Sequence, residues 1–170
     1  MFGTTIWLLR IANWLNWIGA VLFTLLLAAL LLASEHFYPA ITQAFEVQGQ
    51  QAVEAVWTWL VSACALVVPM AVCIHLIFTR LIALLRDAAE GRAFSETNAK
   101  RLTTVGWALL VVNILDLIFG QISIWASEAS GEYFGWTFSL TGWFAVLLLF
   151  LLARVFREGA AMREDLDGTV

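Results

Sequence analysis

Charge is scarce in this chain, and the places where it is missing say more than its total. Asp, Glu, Lys and Arg make up 13% of the 170 residues, against 62% hydrophobic. That is too little polar surface to cover a water-soluble fold with so much apolar content. Residues 11–33, 55–79 and 133–153 hold none of the four charged types, and 102–127 hold only Asp116. A helix needs about 20 residues to cross the hydrocarbon of a bilayer, and each run meets that length. Four crossings leave no room for a separate soluble domain. Cysteine is limited to Cys64 and Cys73, nine residues apart on one expected helix. They sit about 13 Å apart in rise and on opposite faces, so they cannot bridge within it and read as small packing residues. The two histidines, His36 and His75, have no metal-ligand spacing to those cysteines. A Ser-His-Asp set, a Gly-rich phosphate loop and a two-metal carboxylate cluster are all missing. No cofactor or metal is expected, and the chain is read as nonenzymatic.

The few charges are sorted by sign. Arg10 precedes the first run. Arg80, Arg86, Arg92, Lys100 and Arg101 fall between the second and third, and Arg154, Arg157 and Arg163 follow the fourth. The connections 34–54 and 128–132 carry Glu35, Glu46, Glu54, Glu128 and Glu132 and no base. Basic residues mark cytoplasmic loops. The fold class expected is therefore all-α: a polytopic membrane protein with spans at about 11–33, 55–79, 103–126 and 133–153 and both termini in the cytoplasm. All 170 residues would form one four-helix membrane domain. The basic face suits lipid headgroups or protein, and is too small and mixed in sign for nucleic acid. Residues 29–33, Ala-Leu-Leu-Leu-Ala, place Leu where signal cleavage wants a small residue, so the first run reads as an uncleaved anchor.

Helix one is expected from about Thr5 to Ala33, and the aromatic spacing in 34–54 predicts a short surface helix. Pro69 predicts a kink in helix two. Leu81, Leu84, Leu85 and Ala88 extend an apolar stripe beyond that span. Gly91 reads as a C-terminal cap and Ser95 as the next N-cap, with Glu96 favourable to the helix dipole. Residues 80–102 are thus expected to form a cytoplasmic αα-hairpin, followed at the far end by a cytoplasmic tail, 154–170. Helix three should run from about Glu96 to Ser127. Helix four should start near Tyr133, where Gly135 and Ser139, with Gly142 beyond, would allow close helix approach.

Asp116 is the one acid inside a span, and it should face protein rather than lipid. With Asn113 and Gln121 it forms a polar stripe. Neighbours at its depth would be Thr24, residues 62–67 and Ser139–Thr141; His75 lies too near the basic end. Two readings stand for Asp116: a protonatable sensor or ligand contact, and a hydrogen-bonded interhelical clasp. His75 reads as a hydrogen-bonded packing residue, and His36 as an exposed loop residue. The tail 164–168, Glu-Asp-Leu-Asp-Gly, lacks the remaining ligands of a calcium loop.

Two stretches carry a resemblance. Residues 84–95 read Leu-Leu-Arg-Asp-Ala-Ala-Glu-Gly-Arg-Ala-Phe-Ser and continue through Asn98 and Leu102 to Gly106. Residues 155–159 read Val-Phe-Arg-Glu-Gly, and 162–170 read Met-Arg-Glu-Asp-Leu-Asp-Gly-Thr-Val. Together they resemble the domain-of-unknown-function 2975 family of bacterial membrane proteins, over nearly the whole chain. Relatives often end Asp-Leu-Thr-Val where this chain has Asp167-Gly168-Thr169-Val170. The resemblance implies four spans, a bacterial inner (cytoplasmic) membrane and no established reaction. It also implies a small helix-turn-helix regulator, often encoded beside family members, as a cytosolic partner. The family-like residues Arg92, Phe94, Ser95, Asn98, Phe156, Gly159, Asp165, Asp167 and Thr169 become the candidate cytoplasmic interaction set. Phe94 either tucks under the hairpin or stands exposed for docking. The tail is expected to pack on the hairpin through Met162, Leu166 and Val170. The expected function is a membrane regulatory or interaction protein, in contact with lipids and able to self-associate. The alternative is a small transporter or channel subunit that uses Asp116.

Overall fold

The computed structural model describes the backbone of residues 2–167 and the side chains of residues 3–162. Five helices follow one another: α1 (Phe2–Leu32), α2 (Ser34–Ala44), α3 (Gln50–Ala89), α4 (Glu96–Ser130) and α5 (Thr141–Asp167). Among the described residues three helices are long and apolar enough to cross a membrane: Gly3–Leu32, Gln50–Ala89 and Glu96–Ser130. At 1.5 Å per residue, α3 is about 60 Å long and α4 about 52 Å. Both exceed the roughly 30 Å hydrocarbon thickness by a wide margin. The short helix expected within 34–54 is present as α2, and α3 continues across Pro69 to Ala89.

The fourth uncharged run departs from expectation. It does not form one helix from Tyr133; residues 131–140 are non-helical, and α5 starts at Thr141. Gly131 ends α4 at φ +75°, and Gly135 sits at φ +53°. Both values lie in the left-handed region that glycine enters at little cost. The residues between and after them are mostly aromatic or hydroxyl-bearing, types with weak helix preference. Gly135 and Ser139 are therefore not a small-residue helix face. The uncharged part of α5, Thr141–Ala153, measures about 20 Å as a helix.

The chain divides into two compact units. One comprises residues up to Asn16, Val72–Asn113 and residues from Ser139 on; the other comprises Trp17–Ala71 and Ile114–Phe138. In the first, α4 buries Ala99, Leu102, Val105 and Ala108, while α5 buries Val146, Ala153 and Ala160. The α5 residues recur every seven positions, which places them on one helical face. Gly106 meets the Phe150 ring, 3.1 Å from where a Cβ would stand, and Gly142 lies against the Asn113 carboxamide.

In the second unit, Ala52 and Ala55 of α3 are fully buried and Cys64 nearly so. Trp59 anchors this unit. Its indole donates to Ser123 Oγ at 3.0 Å, and its ring packs on Phe134 (centroids 4.6 Å) and Phe119 (6.0 Å). In both units most of the buried residues are small, whereas Trp14, Leu22, Leu25, Trp107 and Leu148 are all more than half exposed. Small side chains inside and bulky apolar ones outside is the pattern of helices packed in lipid, the reverse of what water selects.

Gly120 has the Trp136 indole where a Cβ would stand. Gly120→Ala should cost about 1–3 kcal/mol through overpacking, read as a lower thermal midpoint in mild detergent. Gly19, with nothing within 4 Å, should accept alanine without that loss.

Candidate functional site

The link between α3 and α4 is built almost wholly from hydrogen bonds. Gly91, at φ +74°, follows the end of α3. Gly91 N–H donates to the carbonyl of Ala88 at 3.1 Å, and Arg92 N–H to that of Asp87 at 2.8 Å. This crossed pair is the Schellman arrangement, which closes the last carbonyls of a helix. At the start of α4, Ser95 Oγ accepts the N–H of Asn98 at 3.2 Å, three residues on, as an N-cap does. Six residues thus separate the end of one helix from the start of the next.

Asn98 holds this link shut. It is buried at 0% exposure. Its Nδ2 donates to the carbonyls of Arg92 (3.2 Å) and Ala93 (3.0 Å), and its Oδ1 accepts from Arg101 at 2.7 Å. Arg101 turns the same guanidinium nitrogen to Asp87 Oδ2 at 2.5 Å, with both side chains about three-quarters buried. Asp87 therefore serves twice, by its carbonyl to Arg92 and by its carboxylate to Arg101. Around this interior lies an exposed shell. Arg92 pairs with Glu90 and stands 4.0 Å from Asp87, and Lys100 pairs with Glu96 at 2.8 Å.

Helix α5 packs on the same link through Phe94. The Phe94 and Phe156 rings lie 5.0 Å apart. Gly159 faces the Phe94 ring, which would come within 2.9 Å of a Cβ there. Phe94 packs against α5 rather than under the hairpin, and 49% of it stays exposed. Arg92, Phe94, Ser95, Asn98, Phe156 and Gly159 thus gather at one place. The side chains of Asp165 and Asp167, and all of Thr169, lie outside the described residues. So do the Leu166 side chain and Val170, two of the three expected tail contacts; the third, Met162, is 63% exposed. A shallow groove of about 180 Å³ lies beside the link, lined by Glu96, Arg157, Ala160 and Ala161.

The polar residues inside the helices are not gathered in this way. His75 Nδ1 and Asn13 Oδ1 are 2.9 Å apart. A side chain on α1 is thus one partner of this histidine. Asn113 Nδ2 donates back to the Leu109 carbonyl at 2.8 Å. Gln121 is exposed. Asp116, half-buried, accepts from the Trp136 indole, its Nε1 at 3.3 Å from Oδ2. That partner lies in the non-helical segment, so counting levels along helices passed over it. Thr24, one of the levels expected to meet Asp116, bonds the Ala20 carbonyl instead. Spacing also missed the Asp87–Arg101 pair; the only sequence signal was opposite charge on the two arms of one short turn. His36 and Glu35, 3.9 Å apart, are both exposed. Among the described residues no group of three or more His, Cys, Asp and Glu is placed to hold a metal ion.

The model of a family described as a protein of unknown function (DUF2975) matches residues 10–170. No curated protein and no solved structure matches the chain.

Replacing Asn98 by Ala should cost about 1–3 kcal/mol, because two backbone carbonyls and Arg101 lose a buried partner together. Lys100→Ala removes only an exposed ion pair and should change stability by less than about 1 kcal/mol. Denaturation of the purified protein in detergent would compare the two.

Proposed function

The chain belongs to the DUF2975 family, and we propose that it is a nonenzymatic regulatory protein of a bacterial inner membrane. In this reading four segments cross the bilayer, both termini are cytoplasmic, and residues 80–102 form a cytoplasmic hairpin. The basic residues all fall on that side, as the rule for cytoplasmic loops requires. A change at the membrane or the far face tilts or slides the helices. The hairpin and α5 translate that change into holding or releasing a small cytosolic helix-turn-helix protein.

The observation that carries this reading is the meeting of Phe94 with Phe156 and Gly159. Two sequence stretches more than sixty residues apart, both family-like, are joined there by one half-exposed aromatic ring. Around it, Arg92, Lys100 and Arg157 offer cations at the surface, mixed with Glu90, Glu96 and Glu158. An apolar ring within a mixed-charge rim is the composition of a protein-docking surface. The ring is also mechanically tied to α5, so a shift of α5 along the link would change how much of it shows.

A second reading, a transporter or channel subunit, takes its support from Asp116. A carboxylate on a bilayer-spanning helix with an indole donor is a site where a proton or cation could be exchanged. Under that reading Asp116→Asn abolishes flux in loaded vesicles; under the first reading no flux is seen with either form.

Co-expressed with a small helix-turn-helix regulator of the kind the family resemblance implies, the full-length membrane protein should retain that partner through purification. Phe94→Ala should reduce retention several-fold, and Val47→Ala, at an exposed residue outside this surface, should leave it near wild type. Equal retention by wild type and Phe94→Ala, or none by wild type, refutes the regulatory reading.

A further inference from the structure

The segment between α4 and α5 leaves its backbone open. The N–H groups of Glu132 and Phe134 find the hydroxyls of Ser130 and Ser127, at 3.2 and 3.0 Å. Among the described residues the N–H groups of Tyr133, Gly135, Trp136, Thr137 and Phe138 meet no acceptor in the chain, and the carbonyls of 132–138 meet no donor. The segment is also open to its surroundings. Tyr133 is 77% exposed and Phe138 53%, and Gly135 and Thr137 are exposed between them.

Its depth makes this matter. The Trp136 indole reaches Asp116, fourteen residues before the end of α4 at Ser130, or about 21 Å along the helix. Helix α5 supplies only about 20 Å of uncharged helix, where a crossing needs roughly 30 Å. The remainder must come from the residues before Thr141. On the four-crossing reading, on which this inference rests, the open amides of 133–138 therefore lie at hydrocarbon depth. Non-helical backbone there cannot face lipid; it must be covered by protein or line a water-filled cavity. A water-lined wall would be polar, and the most exposed bulky side chains here are Tyr133 and Phe138.

We propose that residues 132–138 are the contact between two copies of this chain, each segment closing the other's backbone. A stretch with both free donors and free acceptors is complementary to itself, and two such stretches satisfy each other across a twofold axis. Gly135, at φ +53° and without a side chain, lets the two backbones come close. The inward-turned Phe134 and Trp136 hold the segment on its own chain through Trp59 and Asp116, leaving the backbone free for the neighbour.

Full-length protein in native membranes tests this. Single cysteines are placed along 132–138 in a Cys64→Ala, Cys73→Ala background, and wild-type copies bearing two different tags are co-expressed. Oxidation should give a band at about twice the 18.9 kDa monomer for Tyr133→Cys or Thr137→Cys and none for Leu151→Cys. One tag should also pull down the other in mild detergent. No cross-linking at any position in the segment, with no co-purification of tags, overturns the proposal. A membrane-impermeant maleimide then separates two causes. If Thr137→Cys is not labelled, the crossing stands and the pairing falls. If it is labelled as fast as Val47→Cys, at a residue 97% exposed, the four-crossing reading falls with it.

Discussion

Every buried or lipid-facing peptide group must find its hydrogen bond within protein, and this requirement organises the chain more than any single contact does. Away from water an unmet amide or carbonyl costs several kcal/mol. Long helices meet most of the demand by themselves, and the remaining groups collect where helices stop. At the α3–α4 link every device available is used: a glycine in the left-handed region, a serine cap and a buried asparagine that bonds two carbonyls. Further along α4, Ser127 and Ser130 take up the first amides of the next connection. The chain treats its two α4 ends very differently, one closed by its own side chains and the other left open from Tyr133 on save for the Phe134 amide.

That contrast also explains which parts of the fold could be read from residues alone. Hydrophobic runs with sorted charges locate α1, α3 and α4, because lipid solvation acts on composition over some twenty residues and tolerates errors of detail. Gly91 and Ser95 mark the link because their chemistry is local: a left-handed cap and a side-chain acceptor need no distant partner. The run 133–153 misled for the same reason. Its lack of charge is real, but hydropathy does not distinguish a helix from an apolar segment of another shape. Gly135 reads from the sequence as packing surface, but its φ makes it a chain-turner, as Gly131 is.

The side-chain site was legible only where sequence neighbours form it. Asn98 stood out by family likeness, yet its part in the link depends on carbonyls five and six residues back, which spacing does not reveal. Pairs formed across a turn or between distant elements, such as Asp87 with Arg101, Trp136 with Asp116 and Trp59 with Ser123, depend on how the chain folds back. Polar residues counted at helical intervals therefore gave the right helix and the wrong partner: Asp116 and Gln121 share α4, but only the first meets a donor there.

The rigidity of the link has a geometric corollary. Each residue of a helix advances it by about 100°, so the number of residues between Ala89 and Glu96 sets the angular phase of α4 against α3. Lengthening or shortening that connection by one would swing the row Ala99, Leu102, Val105 and Ala108 through more than a quarter turn, exposing the small residues it now conceals. Asn98 acts as a keyway: its bonds to Arg92 and Ala93 admit one spacing. Tolerance of substitution on the outer faces of these helices can therefore coexist with intolerance of any change in the length of a six-residue loop.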